Sequence, residues 1–137
     1  LSIETGEILW KKSVPGLAEG FAAMAVDDAF VFNTAGGEIF RLDAKTGKEE
    51  FRTRLSHPRK NNVPRKIEPV LRGGALFVPS GGVFVVRAGT GEVVSRVEGC
   101  TLVPDYLRVD EDCNLYVGEQ GGYLGCWTVG ARLTVVK

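Results

Sequence analysis

The stretch Ala29–Gly47, with the sequence AFVFNTAGGEIFRLDAKTG, decides the fold of this chain of 137 residues. It holds two short apolar runs, which are separated by Gly36-Gly37 and followed by Thr46-Gly47. A Gly-Gly pair between two apolar runs is typical of a tight β-hairpin, because glycine adopts positive φ angles without strain. The same order of features recurs at Ala75–Gly91 and Asn114–Gly130, and the chain opens on the tail of another copy, Leu1–Gly6.

The repeat has a period near 40 residues. The turn glycines Gly6, Gly47, Gly91 and Gly130 are spaced by 41, 44 and 39 residues. A period in this range, built from short strands, is typical of β-propeller blades, each of which is a four-stranded antiparallel sheet. The sequence therefore predicts an all-β fold, a partial β-propeller of about three and a half blades.

The predicted organisation is one incomplete propeller over residues 1–137, with the end of a preceding blade at 1–12 and blades at 21–55, 66–97 and 102–137. The predicted strands are 21–26, 29–34, 38–43 and 48–55, then 66–71, 75–78, 83–87 and 92–97, then 102–109, 114–118, 123–128 and 131–136. The second and third strands of each blade are apolar, as expected for central strands, whereas the fourth is charged, as expected for an outer edge. Because a closed propeller typically needs four to eight blades, we expect further blades from a missing N-terminal portion or from another polypeptide.

Composition excludes several classes of function. Lys plus Arg and Asp plus Glu both number 17, so the chain is formally neutral. Nucleic-acid binding usually needs a basic excess, which is absent here. No run approaches the roughly 18 apolar residues of a membrane span. We therefore expect a globular domain whose partner is neither nucleic acid nor a lipid bilayer core.

The longest connection, residues 56–66, is the first candidate site. It contains the only histidine of the chain and four basic residues. The five candidate residues are His57, Arg59, Lys60, Arg65 and Lys66. One interpretation is a loop that binds a partner or an anion at one end of the propeller. The simpler interpretation is a solvated loop whose charges maintain solubility, because loops carry idle variation as well as function.

The sequence contains no pattern that predicts a catalytic or metal site. His57 has no second histidine and no nearby cysteine to share a metal ion, and no Gly-x-Ser-x-Gly motif is present. Cys100, Cys113 and Cys126 lack Cys-x-x-Cys spacing. Cys113 and Cys126 fall in one predicted hairpin, where they could approach each other, but packed free thiols are the expected state.

The turn motif resembles the repeat of the quinoprotein-type (PQQ-like) β-propeller family. In that family the motif reads Leu-x-Ala-x-Thr-Gly-x-x-x-Trp, and here it has counterparts in Leu1–Trp10, Leu42–Phe51 and Val86–Gly91. The resemblance implies that Trp10 is a docking residue, which packs one blade against its neighbour. Phe51 keeps an aromatic ring at this position, whereas Ser95 does not.

The resemblance implies three kinds of function. Some members are dehydrogenases that use PQQ and calcium, some are non-enzymatic scaffolds, and some are ligand-sensing domains of signalling proteins. The dehydrogenases carry two adjacent cysteines against the cofactor, and this chain has none. Glu68 and Asp105 are the only carboxylates on the predicted inner strands, where they face the central tunnel. Calcium needs several converging carboxylates.

We therefore expect a non-catalytic scaffold without cofactor, which binds a protein partner or further propeller blades. A part of a PQQ- and calcium-dependent dehydrogenase and a ligand-sensing domain remain the alternatives. The frequent periplasmic location of the family and the three cysteines point to different compartments, because free thiols are typical of reducing surroundings. The compartment therefore stays open at this level.

Overall fold

A computed structural model describes residues 4–14, 22–34, 37–55, 67–97, 104–119 and 122–128, with the backbone alone for Ala22, Asp105 and Glu119. Within these residues the chain is all β, as the repeat predicted, and it forms three antiparallel sheets. None of the described residues belongs to a helix, and so none provides a helix long and apolar enough to cross a membrane.

Each sheet follows the chain without crossovers. The first blade is β1 (Ala22–Val26), β2 (Ala29–Asn33), β3 (Glu38–Asp43) and β4 (Glu49–Arg54). The second blade is β5 (Val70–Arg72), β6 (Ala75–Pro79), β7 (Val83–Arg87) and β8 (Val93–Arg96). The third blade has three described strands, β9 (Pro104–Val109), β10 (Asn114–Glu119) and β11 (Tyr123–Thr128).

The central strands are apolar because both of their faces are covered. All five residues of β6 are buried, and so are four of the five residues of β7. The outer strand β4 instead alternates between half-buried and exposed residues, and its charged side chains lie in water. Charge on an outer strand also discourages pairing with another sheet edge. The order of strands from axis to rim therefore follows their polarity.

The first two blades share an irregularity that shows how closely they repeat. The pairing of β3 with β4 shifts between Arg41 and Leu42, and that of β7 with β8 shifts between Val85 and Val86. Both bulges come just before the turn that leads into the outer strand. An extra residue at such a point bends the strand and increases its twist. Gly47 and Gly91, which both have positive φ, therefore occupy equivalent positions in the two turns.

Three apolar clusters hold the blades side by side. The first cluster packs residues 10–14 on the first blade and includes Trp10, Val14, Phe32 and Phe40. The second cluster packs the first blade on the second and includes Val31, Ile39, Leu76 and Val86. The third cluster packs the second blade on the third and includes Phe77, Val85, Leu107 and Leu115.

One prediction about a strand needs correction. The inner strand of the second blade begins at Val70 rather than at residue 66, since Pro69 has no N–H to donate to a ladder. Described residues 6–14 form no strand, and the assignment of residues 1–12 to the end of a preceding blade stays a prediction. Cys113 lies in the turn before β10, at a φ of 61°. The predicted fourth strand of the third blade, residues 131–136, lies outside the described residues.

Candidate functional site

The inner strands of the three blades surround an open groove at the propeller axis. Its volume is about 430 Å³. Its exposed surface is more polar than apolar, and the residues that line the groove are Met24, Ile67, Glu68, Pro69, Val70, Leu71, Tyr106, Leu107 and Arg108. Each blade contributes to it, because the first strand of every blade lies closest to the axis. This axial groove is one concave surface that the described residues offer to a partner.

Two opposite charges lie in the axial groove. Glu68 was predicted to face the tunnel, and it does line the groove, although it precedes β5 rather than lying within it. Arg108 comes from β9 of the third blade and holds its guanidinium carbon 5.5 Å from the centre of the Tyr106 ring. No ion pair joins either charge to another described residue. Asp105, the second predicted tunnel residue, lies in β9, and its side chain is outside the described residues.

The five candidates of the basic loop, His57, Arg59, Lys60, Arg65 and Lys66, lie outside the described residues. The described chain resumes at Ile67, directly beside the axial groove. Its role as a partner-binding loop stays a prediction.

Trp10 lies against the turn of the first blade. A Cβ atom placed on Gly47 would come within 2.6 Å of the Trp10 ring, so the ring occupies the space that only glycine leaves free. Gly47 also has a φ of 68°, which residues with a side chain rarely adopt. The indole Nε1–H of Trp10 donates a hydrogen bond of 2.9 Å to the carbonyl of Ala44. The turn of the first blade thus contacts the Trp10 ring and also accepts a hydrogen bond from its N–H.

Phe51 repeats this contact one blade further along. A Cβ atom on Gly91, where φ is 77°, would come within 2.6 Å of the Phe51 ring. The phenyl ring of Phe51 has no N–H group. The Ala88 carbonyl instead accepts a hydrogen bond of 2.9 Å from Nη1 of Arg41. The Thr53 hydroxyl donates a further bond of 2.6 Å to the Gly91 carbonyl. The repeat therefore keeps the ring and moves the hydrogen bonds to other side chains.

The best-satisfied carboxylates of the described residues are used inside turns. Asp110 accepts hydrogen bonds from the backbone N–H groups of Asp112 and Asn114, from the Asn114 amide and from the Tyr116 hydroxyl, at 2.8–3.0 Å. The side-chain bond from Asn114 is the main reason why the pKa of Asp110 is lowered. The hydrogen bond that the Tyr116 hydroxyl donates to Asp110 raises the pKa of Tyr116. These carboxylate oxygens hold a loop in shape rather than facing a ligand.

The described residues do not fit a calcium–quinone site. No three His, Cys, Asp or Glu side chains among them converge closely enough to hold a metal ion. Glu68 is the one carboxylate that lines the axial groove among the described side chains. Calcium usually takes six to eight oxygen ligands, several of them from carboxylates. The groove offers apolar contact and isolated charges in place of such a ligand set.

Cys113 and Cys126 are both free thiols. Cys126 lies in β11 opposite Tyr116. Tyr116 comes three residues after Cys113 in the chain. Because a strand advances about 3.3 Å per residue, this register keeps the two sulfur atoms apart. The possibility that they approach each other across the hairpin was wrong. Cys100 lies outside the described residues.

Sequence reasoning missed Arg41, Thr53 and Arg108. Arg41 stands in an apolar central strand, and an unexpected charge at such a position could have marked a cross-blade contact. Thr53 and Arg108 carry no such signal, since threonine and arginine are ordinary on outer and inner strands. Their roles depend on which carbonyl or ring lies opposite in the neighbouring strand or blade, and the local sequence does not contain that information.

Blades of antiparallel strands, joined side by side through a ring on a glycine, define a segment of a β-propeller. A family model described as outer membrane protein assembly factor BamB matches residues 1–102, and the chain therefore belongs to this family. The PQQ-like resemblance of the turn motif is thereby confirmed. No curated protein matched the sequence.

Solved structures of the same fold include natural and designed proteins. The computationally designed Ika4 protein has a TM-score of 0.71 at 17% identity, over 91% of this chain and 74% of that one. BamB from Moraxella catarrhalis has a TM-score of 0.66 at 18% identity, over 90% of this chain and 37% of that one. The designed Ika8 protein gives 0.63 at 18% identity, over 85% and 35%. The chain thus spans little more than a third of the BamB and Ika8 chains that it resembles.

Proposed function

We propose that this chain is a non-catalytic propeller segment that binds protein, as part of a scaffold. The observation that carries the proposal is the axial groove. It combines apolar side chains with exposed polar groups that include Glu68 and Arg108, which have no ion pair among the described residues. Protein side chains match such a surface, since apolar groups fill the walls and charged groups pair at its rim. The family description as an assembly factor agrees with this function.

The proposed function includes no cofactor. The carboxylates of Asp43 and Asp110, which accept the most hydrogen bonds among the described acids, lie in turns. A general acid or base needs a titratable group within reach of substrate. Among the described side chains that line the groove, Glu68 has no histidine, cysteine or second carboxylate with which to share a proton. Binding through shape and charge is therefore better supported than chemistry.

Site-directed photo-crosslinking in the intact protein tests this function. Benzoylphenylalanine at position 68 places the reactive group in the axial groove, and the same residue at position 50 places it on the outer strand β4. We expect a discrete protein adduct from position 68 alone. With the purified partner, Glu68→Arg should weaken binding about tenfold or more, the loss typical of an interface hot spot.

Two results would contradict the proposal. Identical adducts from positions 68 and 50 would show that the crosslinks do not report on the groove. Substrate turnover that depends on Glu68, without a protein adduct from position 68, would instead indicate an enzyme.

A further inference from the structure

The inner strand of the third blade, β9, turns one edge of its main chain toward the propeller axis. It pairs with β10, and no other described strand pairs with its axial side. An edge strand of this kind presents N–H and C=O groups that no ladder satisfies. The edge belongs to the axial groove, because Tyr106, Leu107 and Arg108 line that groove.

The pairing of β9 shows which of its residues direct main-chain groups to the axis. At the end of the ladder, the N–H of Asp110 donates a hydrogen bond of 3.1 Å to the carbonyl of Asn114, and so Asp110 faces β10. Main-chain groups of an antiparallel ladder face the partner strand at every second residue. Val109 therefore faces away from β10, and so does Leu107, two residues earlier.

The hydrogen bonds at this edge agree with that assignment. The Val109 carbonyl accepts a hydrogen bond of 3.3 Å from Nη2 of Arg72, which lies on the inner strand of the second blade. The N–H of Val109 and both main-chain groups of Leu107 have no hydrogen-bond partner among the described residues. These three groups can therefore bond to a strand of another protein.

Glu68 adds a charge beside this edge. It lines the same groove as Leu107, its side chain is exposed, and no described residue forms an ion pair with it. The place lies between the second and third blades, and both are among the described residues. A cationic side chain is the natural partner of a carboxylate at such a position.

We propose that the axial groove takes an extended segment of the partner protein, which adds to the axial edge of β9 as a further strand. A lysine or arginine of that segment pairs with Glu68. In this mode of recognition, main-chain hydrogen bonds provide affinity and side-chain contacts provide specificity. The edge of β5 is less suited, since β5 has three residues and follows Pro69, which has no N–H. The inference rests on the proposed protein binding and specifies its geometry.

Backbone methylation of the bound segment tests the added strand. The probe is a synthetic peptide that spans the partner segment crosslinked from position 68, titrated into the intact protein by calorimetry. N-methylation of one amide at a time removes one donor. We expect a loss of about tenfold at every second residue, because only alternate N–H groups face β9, and small changes at the residues between them.

A charge exchange tests the pairing with Glu68. Glu68→Lys should weaken binding of the peptide about tenfold, and replacement of the basic residue of the peptide by glutamate should restore binding to this variant alone. Glu111→Lys is the matched control, because it makes the same change of charge in the exposed turn after β9, away from the groove. This control should bind the native peptide like the native chain.

The outcomes separate this inference from the function on which it rests. Absence of a protein adduct from position 68 would overturn both. An adduct whose peptide loses affinity equally at all methylated amides, or at none of them, would overturn the added strand and leave protein binding in place. Equal effects of Glu68→Lys and Glu111→Lys would likewise overturn the pairing with Glu68.

Discussion

The contacts of Trp10 on Gly47 and of Phe51 on Gly91 solve one packing problem with different hydrogen bonds. In both, an aromatic ring fills the space above a glycine with positive φ. In the first contact, the indole itself donates to the turn carbonyl, whereas in the second Arg41 and Thr53 supply the donors. The ring and the glycine define the geometry, and the hydrogen bonds can come from any side chain that reaches the turn. Repeats can therefore diverge in sequence while the blades keep their spacing.

The largest expected effect comes from the glycine beneath the Phe51 ring. Gly91→Ala forces a side chain into positive φ, which costs about 1–2 kcal/mol. The new Cβ also meets the ring, which adds about 1–3 kcal/mol of overpacking. Gly74→Ala is the control, since Gly74 has a φ of 75° but no atom within 4 Å of the added Cβ. Urea unfolding should show a clearly larger loss for Gly91→Ala, and equal losses would contradict a tight ring contact.

Removal of the two rings should separate the contacts. Phe51→Ala is expected to cost about 2–3 kcal/mol, less than a fully buried phenylalanine because Phe51 is half-buried. Trp10→Ala should cost about 1 kcal/mol or less in global unfolding, since residues 6–14 belong to no sheet and can detach locally. Chemical denaturation of both variants measures the difference. A larger loss for Trp10→Ala would mean that residues 4–14 unfold together with the blades.

A double-mutant cycle tests whether Arg41 replaces the missing indole N–H. Arg41→Met should cost about 1–2 kcal/mol, because it removes both the hydrogen bond to the Ala88 carbonyl and the ion pair with Glu50. In a Phe51→Trp background the new indole can donate to the Ala88 carbonyl, so the cost of Arg41→Met should fall. Additive losses in the cycle would contradict this exchange of donors.

The smallest effect concerns the pH dependence of the two turns. Hydrogen bonds from Thr46 lower the pKa of Asp43 below its ordinary value of 3.8, whereas Arg87 occupies the same turn position in the second blade. A lowered pKa stabilises the fold above the pKa of the unfolded chain, and this contribution disappears as pH falls through the folded pKa. The melting temperatures of the native chain and Asp43→Ala should therefore converge between about pH 6 and about pH 2. A constant difference would show that the carboxylate charge is not involved.

Local sequence was enough to predict the strands that alternate with glycine turns. The bounds of β3, β7 and β11 match the prediction, because Gly-Gly pairs and apolar runs determine both ends of these strands. The predicted start of β5 was wrong, since a residue in a strand also requires an N–H donor, which Pro69 lacks. Arg41 and Arg108 depend on contacts with a neighbouring blade or strand, which no local pattern contains. The fold was thus predictable from local sequence, whereas the contacts of Arg41 and Arg108 were not.

We propose that this propeller segment works by binding protein rather than by cofactor chemistry. Calorimetric titration of the intact protein with PQQ in the presence of Ca²⁺ tests it most directly. We expect no saturable heat, because the described residues bring only one carboxylate to the axial groove. Saturable binding of one PQQ per chain, lost in Glu68→Gln, would contradict it.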